Sequence, residues 1–220
     1  MNELAFEDLI IHHTVNKKLK HSYINITSES EILLKTPRVS KAFVYELLQS
    51  KKKWIDKQLV KIQNNPPLKI KLEDEVILFG EIYSIDTLEA SSLRIKLEKS
   101  KINSKEKTLK YYDIFYKQKA LEYITPRVEY FAKIMDFSYQ EIKYRKMKRR
   151  WGSCSSQKVL SFNTELIKIK KDFIDYVIVH ELAHLKYMNH SVNFHALVDS
   201  YLPHASRYRD ELKSTRIAIF

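Results

Sequence analysis

The chain has 220 residues, 44% of them hydrophobic, enough to bury the core of one large or two small domains and to exclude an intrinsically disordered chain. Its 39 Lys plus Arg against 27 Asp plus Glu give a formal charge of +12, a field that attracts nucleic acid or acidic substrates. No apolar run is long enough to span a bilayer, the first residues are acidic where a signal peptide is basic, and the single Cys154 excludes an internal disulfide, so a cytoplasmic protein is expected.

Short segments of alternating apolar and polar residues at 9–14, 22–27 and 31–35 predict strands. Ser40 is placed to cap a helix reaching about residue 63, with Val44, Leu47, Leu48, Ile55, Leu59 and Ile62 largely on one stripe, and the Asn-Asn-Pro-Pro run at 64–67 stops it. Residues 76–79 and 82–85 flank Gly80-Glu81 as a hairpin, and 93–97 and 108–112 read as two further strands. From Asp113 to Met135, apolar residues recur at three- and four-residue steps, predicting an amphipathic helix that Pro126 should kink or divide. Residues 139–150 and 159–169 are strand-like. Asp172 is placed to cap a helix whose apolar faces are buried, and Ser191 to cap another ending near Pro203.

The run from His180 to His190 carries the chemistry. His180 and His184 are one helical turn apart, so both imidazoles leave the same face of a helix and can bind one zinc. His190 follows after a break and completes three protein ligands, which leaves the fourth position of a catalytic zinc for water. Such a zinc lowers the pKa of water to about 7 and polarises a carbonyl. Glu181, beside the first ligand, is placed to act as general base. Cys154 as a fourth ligand is the less economical assignment. Tyr187, Tyr201 and His204 are candidate oxyanion donors, and Asp175 or Asp199 a candidate to hold a ligand imidazole by its other nitrogen. The run 143–150, from Lys143 to Arg150, holds six cations and no acid, which reads either as a solvated strand or as a nucleic-acid contact.

Arg150-Trp151-Gly152-Ser153-Cys154, Leu160-Ser161-Phe162-Asn163, the helix from Tyr176 to His184, and His190-Ser191 with Phe194 together resemble the YgjP-like family of bacterial metallopeptidases. Lys53-Trp54-Ile55 and Phe79-Gly80 with Tyr83 extend the likeness into the N-terminal half. The resemblance implies a zincin fold related to the SprT-like and WLM proteases, with one zinc per chain on His180, His184 and His190, and Glu181 as catalytic base. It also implies an extended peptide held along a strand before the active-site helix, for which 159–166 is the candidate with Asn163 near the cleft. Some SprT-like and WLM relatives act on DNA-attached proteins, which gives the 143–150 run a possible role toward DNA or DNA-bound protein. Tyr187 stands where metzincins have glycine, so the turn after the helix differs from theirs, and His195 stands where the family often has Trp.

The expected architecture is α+β: an antiparallel β-rich region with one long helix over 1–112, then a zincin-like helical metallopeptidase domain with a short sheet over 113–220. The expected function is zinc-dependent peptide hydrolysis. Two alternatives use the same residues: a nucleic-acid-associated protein with a structural zinc, and a zinc hydrolase of non-peptide amides.

Overall fold

In a computed structural model of the chain, residues 2–27, 29–64, 66, 68–100 and 104–214 are described. They form two compact units that part near residue 67. Asn65 and Pro67, within the expected helix stop, lie outside the described residues.

In the first unit, β1 (Asn2–Phe6), β2 (Leu9–Val15), β3 (Tyr23–Ile26) and β4 (Ile32–Thr36) form a sheet in the order β1-β2-β4-β3. Two pairings are antiparallel, as expected. β2 and β4 run parallel, because β4 pairs antiparallel with β3 and inserts between it and β2. Helix α1 (Lys41–Asn64) starts where the sequence places it, with the Ser40 hydroxyl accepting from the Phe43 amide at 3.1 Å. Its Val44, Leu48, Ile55 and Ile62 share a core with Phe6, Ile11 and Leu34 of the sheet.

The second unit begins with the hairpin β5 (Glu75–Leu78) and β6 (Glu81–Ser84). Its turn residues are Phe79 and Gly80, both at positive φ (55° and 86°), the backbone a two-residue hairpin demands. Their amides donate to the Ile167 and Lys168 carbonyls, docking the turn. Two expected strands are helical instead. Residues 93–97 lie in α2 (Ser91–Lys99), where Leu93 is buried and Leu97, one turn on, packs against the same core. Residues 108–112 open α3 (Lys105–Met135), capped by Ser104, with Thr108, Tyr112, Phe115 and Tyr116 continuing the buried stripe of the expected helix by another two turns. Pro126 lies inside α3 without ending it.

A three-stranded sheet follows: β7 (Glu141–Arg145), β8 (Gly152–Cys154) and β9 (Val159–Asn163), in the order β7-β9-β8. A 3-10 turn over Thr164–Lys168 leads to α4 (Lys171–Ala183), then α5 (Val192–Tyr201) and α6 (Ala205–Ser214). Asp172 does not cap α4. The cap position is Lys170, without a side-chain bond, and Asp172 lies in the first turn, where its charge favours the helix dipole. Ser191 caps α5 as expected, accepting from the Phe194 amide at 3.4 Å. No helix among the described residues is long and apolar enough to cross a membrane.

Candidate metal centre

Helix α4 is buried on almost every side: Ile174, Val177, Ile178, Val179 and Leu182 join the core with Phe131 of α3 and Leu160 of β9. This fixes the one face that carries His180 and, at the helix end, His184. The chain then turns, and His190 comes back to the same face. One ring nitrogen from each histidine lies within 4.8 Å of the other two, and the Nε2 atoms of His180 and His190 face each other at 3.0 Å. That separation is near the spacing of two ligands on one tetrahedral zinc, whose Zn–N bonds are about 2.0–2.1 Å. Phe194 of α5 packs edge-on or tilted against all three rings at 4.6–4.9 Å and forms the apolar back of the cluster.

The hydrogen bonds assign the tautomer of one of these histidines. Nδ1 of His184 lies 2.9 Å from the Tyr187 carbonyl, which can only accept, so Nδ1 carries the proton and Nε2 keeps its lone pair for a metal. The turn after α4 therefore serves as the orienting partner expected of Asp175 or Asp199. Asp175 is held instead by Arg127 in a two-pronged pair at 2.9 and 2.6 Å, and Asp199 accepts from the Ala205 amide at 3.1 Å. Tyr187 contributes its carbonyl rather than a hydroxyl. Tyr176, one turn before His180, has its hydroxyl 3.5 Å from His180 Nδ1. Burial, then the neighbouring His184 and His190, hold His180 down at about 3, and burial also lowers His184. Both are neutral at pH 7, the form that binds metal.

Glu181 is 5% exposed. Burial pushes its carboxyl up to about 8, with Arg150 pulling weakly the other way. The carboxylate lies against Gly152: a Cβ there would meet Glu181 Oε1 at 2.6 Å and Cγ at 2.7 Å. The Trp-Gly-Ser-Cys segment thus places a backbone with no side chain where the acid needs room. Cys154 is in β8, outside the three-histidine group, and burial followed by Glu181 raises its thiol to about 11, far from the thiolate a metal ligand needs.

Asn163 is 2% exposed, and its amide is wholly engaged with backbone. Its nitrogen donates to the Met147 and Arg150 carbonyls at 2.8 and 3.0 Å, and its oxygen accepts from the Met147 and Glu165 amides. Its geometry is that of a brace for the 147–150 loop. Strand β9 is paired on both sides, parallel to β7 and antiparallel to β8, so it has no edge for a peptide. On the α4 side the sheet ends at β8, whose second edge has no strand partner among the described residues.

The run 143–150 is not one charged face. Lys143 pairs with Glu141 at 3.0 Å, Arg145 donates to the Ser161 hydroxyl, and Lys146 pairs with Asp113 at 2.6 Å. Arg149 and Arg150 instead line a cavity of about 450 Å³ that also contains Gly152, His180 and Glu181.

Comparison with curated proteins gives no match. Among solved structures the chain is similar to the metallopeptidase zymogen abylysin of Pyrococcus abyssi, at 21% identity and TM-score 0.39, over 44% of this chain and 99% of that one. It is also similar to the metallopeptidase zymogen jannalysin of Methanocaldococcus jannaschii, at 25% identity and TM-score 0.37, over 41% of this chain and 91% of that one. The model of the YgjP-like metallopeptidase domain matches residues 20–215, a span that includes His180, Glu181, His184 and His190. The chain belongs to the YgjP-like metallopeptidase family.

Proposed function

We propose that this metallopeptidase binds one zinc per chain through His180, His184 and His190 and hydrolyses peptide bonds with Glu181 as general base. The observation that carries the reading is the convergence of three imidazole nitrogens beside a buried carboxyl that is not among them. When bound, the zinc supplies Lewis-acid polarisation and an acidified water. The chain's own groups do the rest. Tyr187 O holds His184 in the ligating tautomer, and Phe194 keeps bulk water from the back of the cluster. Glu181 has an intrinsic affinity for protons near neutrality, which a neighbouring cation lowers. It takes a proton from the attacking water as the C–O bond forms and delivers it to the amine nitrogen as the C–N bond breaks.

An extended peptide fits the free edge of β8, the strand that contacts α4 at Gly152, rather than β9. Three of the six cations of the 143–150 run are engaged within the chain, which favours a peptide over nucleic acid as the partner of this face. The single Cys154 suits a reducing, cytoplasmic setting. The test is Glu181→Gln on a peptide library. It should retain fold and metal while hydrolysis falls by about 10²–10⁴-fold. Undiminished hydrolysis by the variant would remove Glu181 from the reaction.

A further inference from the structure

The cavity beside the metal face has a charge that peptide hydrolysis alone does not require. Arg149 and Arg150 line it from the loop before β8, and Arg209 and Lys213 line it from α6. Among the described residues Glu181 is the one carboxylate in its lining, and it is buried on α4. The four cations come from two segments about sixty residues apart in the chain.

These cations are only partly neutralised. Lys213 pairs with Asp210 at 2.9 Å, and the same carboxylate lies 3.8 Å from Arg209 Nε. That Nε is buried and has no hydrogen-bond acceptor within the described residues. Arg209 lines the cavity with 38% of its side chain exposed, and a guanidinium there offers charge-assisted donors to an incoming oxyanion. Neither Arg149 nor Arg150 has a carboxylate within ion-pair distance among the described residues, and the loop that presents them is braced by Asn163 on the Met147 and Arg150 carbonyls. A flexible surface loop would not need this brace. Arg149, Arg150, Arg209 and Lys213 line the same cavity as His180 and Glu181, so the cations stand beside the groups assigned to the reaction.

We propose that this cavity selects a carboxylate of the substrate, so that the enzyme cleaves peptides beside an acidic residue or beside a free C-terminus. The proposal rests on the peptidase reading above and names its substrate class. Guanidinium groups bind carboxylates through paired, charge-assisted bonds, and a cavity lined by several of them disfavours a neutral side chain that leaves their charge unmatched.

The experiment uses the full chain and two readouts. In the first, a peptide library is cleaved by wild-type enzyme, Arg209→Gln, and the double variant Arg149→Glu with Arg150→Glu, and cut sites are read by mass spectrometry. In the second, anisotropy reports binding of a fluorescein-labelled hexapeptide with a central Glu-Glu, against its Ala-Ala counterpart, to metal-free protein. Each peptide is used as the free acid and as the C-terminal amide, which separates a side-chain carboxylate from a terminal one. Wild type should favour the acidic form by about tenfold or more in both readouts. That ratio should collapse in Arg209→Gln and fall below one in the double variant, and added salt should lower it. Cleavage without acidic preference in wild type would overturn this proposal and leave the peptidase reading standing. Salt-sensitive acidic binding without cleavage of any peptide would sink the peptidase reading and retain the pocket. Displacement of the peptide by a single-stranded oligonucleotide of equal charge at lower concentration would assign the pocket to nucleic acid and overturn the proposal.

Discussion

Gly152→Ala adds one methyl group and removes nothing, yet it should disable hydrolysis. The added Cβ would sit 2.6 Å from Glu181 Oε1, 2.7 Å from Cγ and 2.9 Å from Cδ, all well inside contact distance. Glu181 is 5% exposed, so its carboxylate must shift by most of an ångström, away from Gly152 and within the cavity it lines. A displacement of about 1 Å in a reacting group lowers turnover by about 10²-fold, and overpacking of this kind costs about 1–3 kcal/mol of stability. None of the three histidines is among the atoms the added Cβ would meet, so they keep their positions. We therefore expect kcat about a hundredfold lower, KM little changed, zinc content unchanged, and Tm lower by several degrees. Steady-state kinetics on a quenched peptide, metal analysis and calorimetry on the same preparation measure all four. Wild-type kcat in a folded Gly152→Ala protein would refute both the contact and the role given to Glu181.

Other perturbations test the supports of the site. Asn163→Ala leaves the Met147 and Arg150 carbonyls and the Met147 amide without their partner, at about 1–3 kcal/mol for each group that stays buried. Urea unfolding should show the loss, and unchanged stability would mean that the 147–150 loop is held by something else. Lys168→Ala strands the buried Glu165, whose Oε2 lies 2.5 Å from Lys168 Nζ and whose second oxygen, among the described residues, reaches a cation only at Lys146, 3.9 Å away. The expected cost is about 3–5 kcal/mol, and Glu165→Leu with Lys168→Met should recover most of it. A single variant as stable as wild type would show the pair to be dispensable. The third concerns pH. Metal-free Glu181 holds its proton up to about pH 8, whereas His180, held near 3, has none to lose at pH 7. Zinc loading at pH 7 should therefore release about one more proton from wild type than from Glu181→Gln. Zinc affinity of wild type should rise with pH up to about 8 more steeply than that of the variant. Calorimetry in buffers of different ionisation enthalpy measures this, and equal proton release would remove Glu181 from the linkage.

The helical parts of the site are legible because helix periodicity and motif spacing agree. Val177, Ile178 and Leu182 bury α4, so His180 and His184 must share the remaining face, and Ser191 marks where the chain restarts after His190. The sheet is less legible, since strand order is a tertiary property. Nothing local in Val159–Asn163 says that it is flanked on both sides, and the three residues of β8 are too few to show a period. The same limit applies to Asn163, whose four bonds go to residues brought near only by the fold. Residues 108–112 misled because the aromatic pair Tyr111 and Tyr112 favours a strand locally. Burial of Thr108, Tyr112 and Phe115 at helical spacing overrides that preference. The cationic pocket was half visible, as the run before Trp151. Its other half, Arg209 and Lys213, lies in α6, with no sequence signal linking it to the loop before β8.

The central claim is that three histidines form one zinc site. His190 is the informative ligand to remove, because it is exposed on a turn and its loss leaves the core of α4 intact. Calorimetric titration of zinc into metal-free protein should give one site per chain in wild type. In folded His190→Ala, binding should be far weaker or absent. No zinc binding by wild type, or equal binding by the variant, would contradict the account.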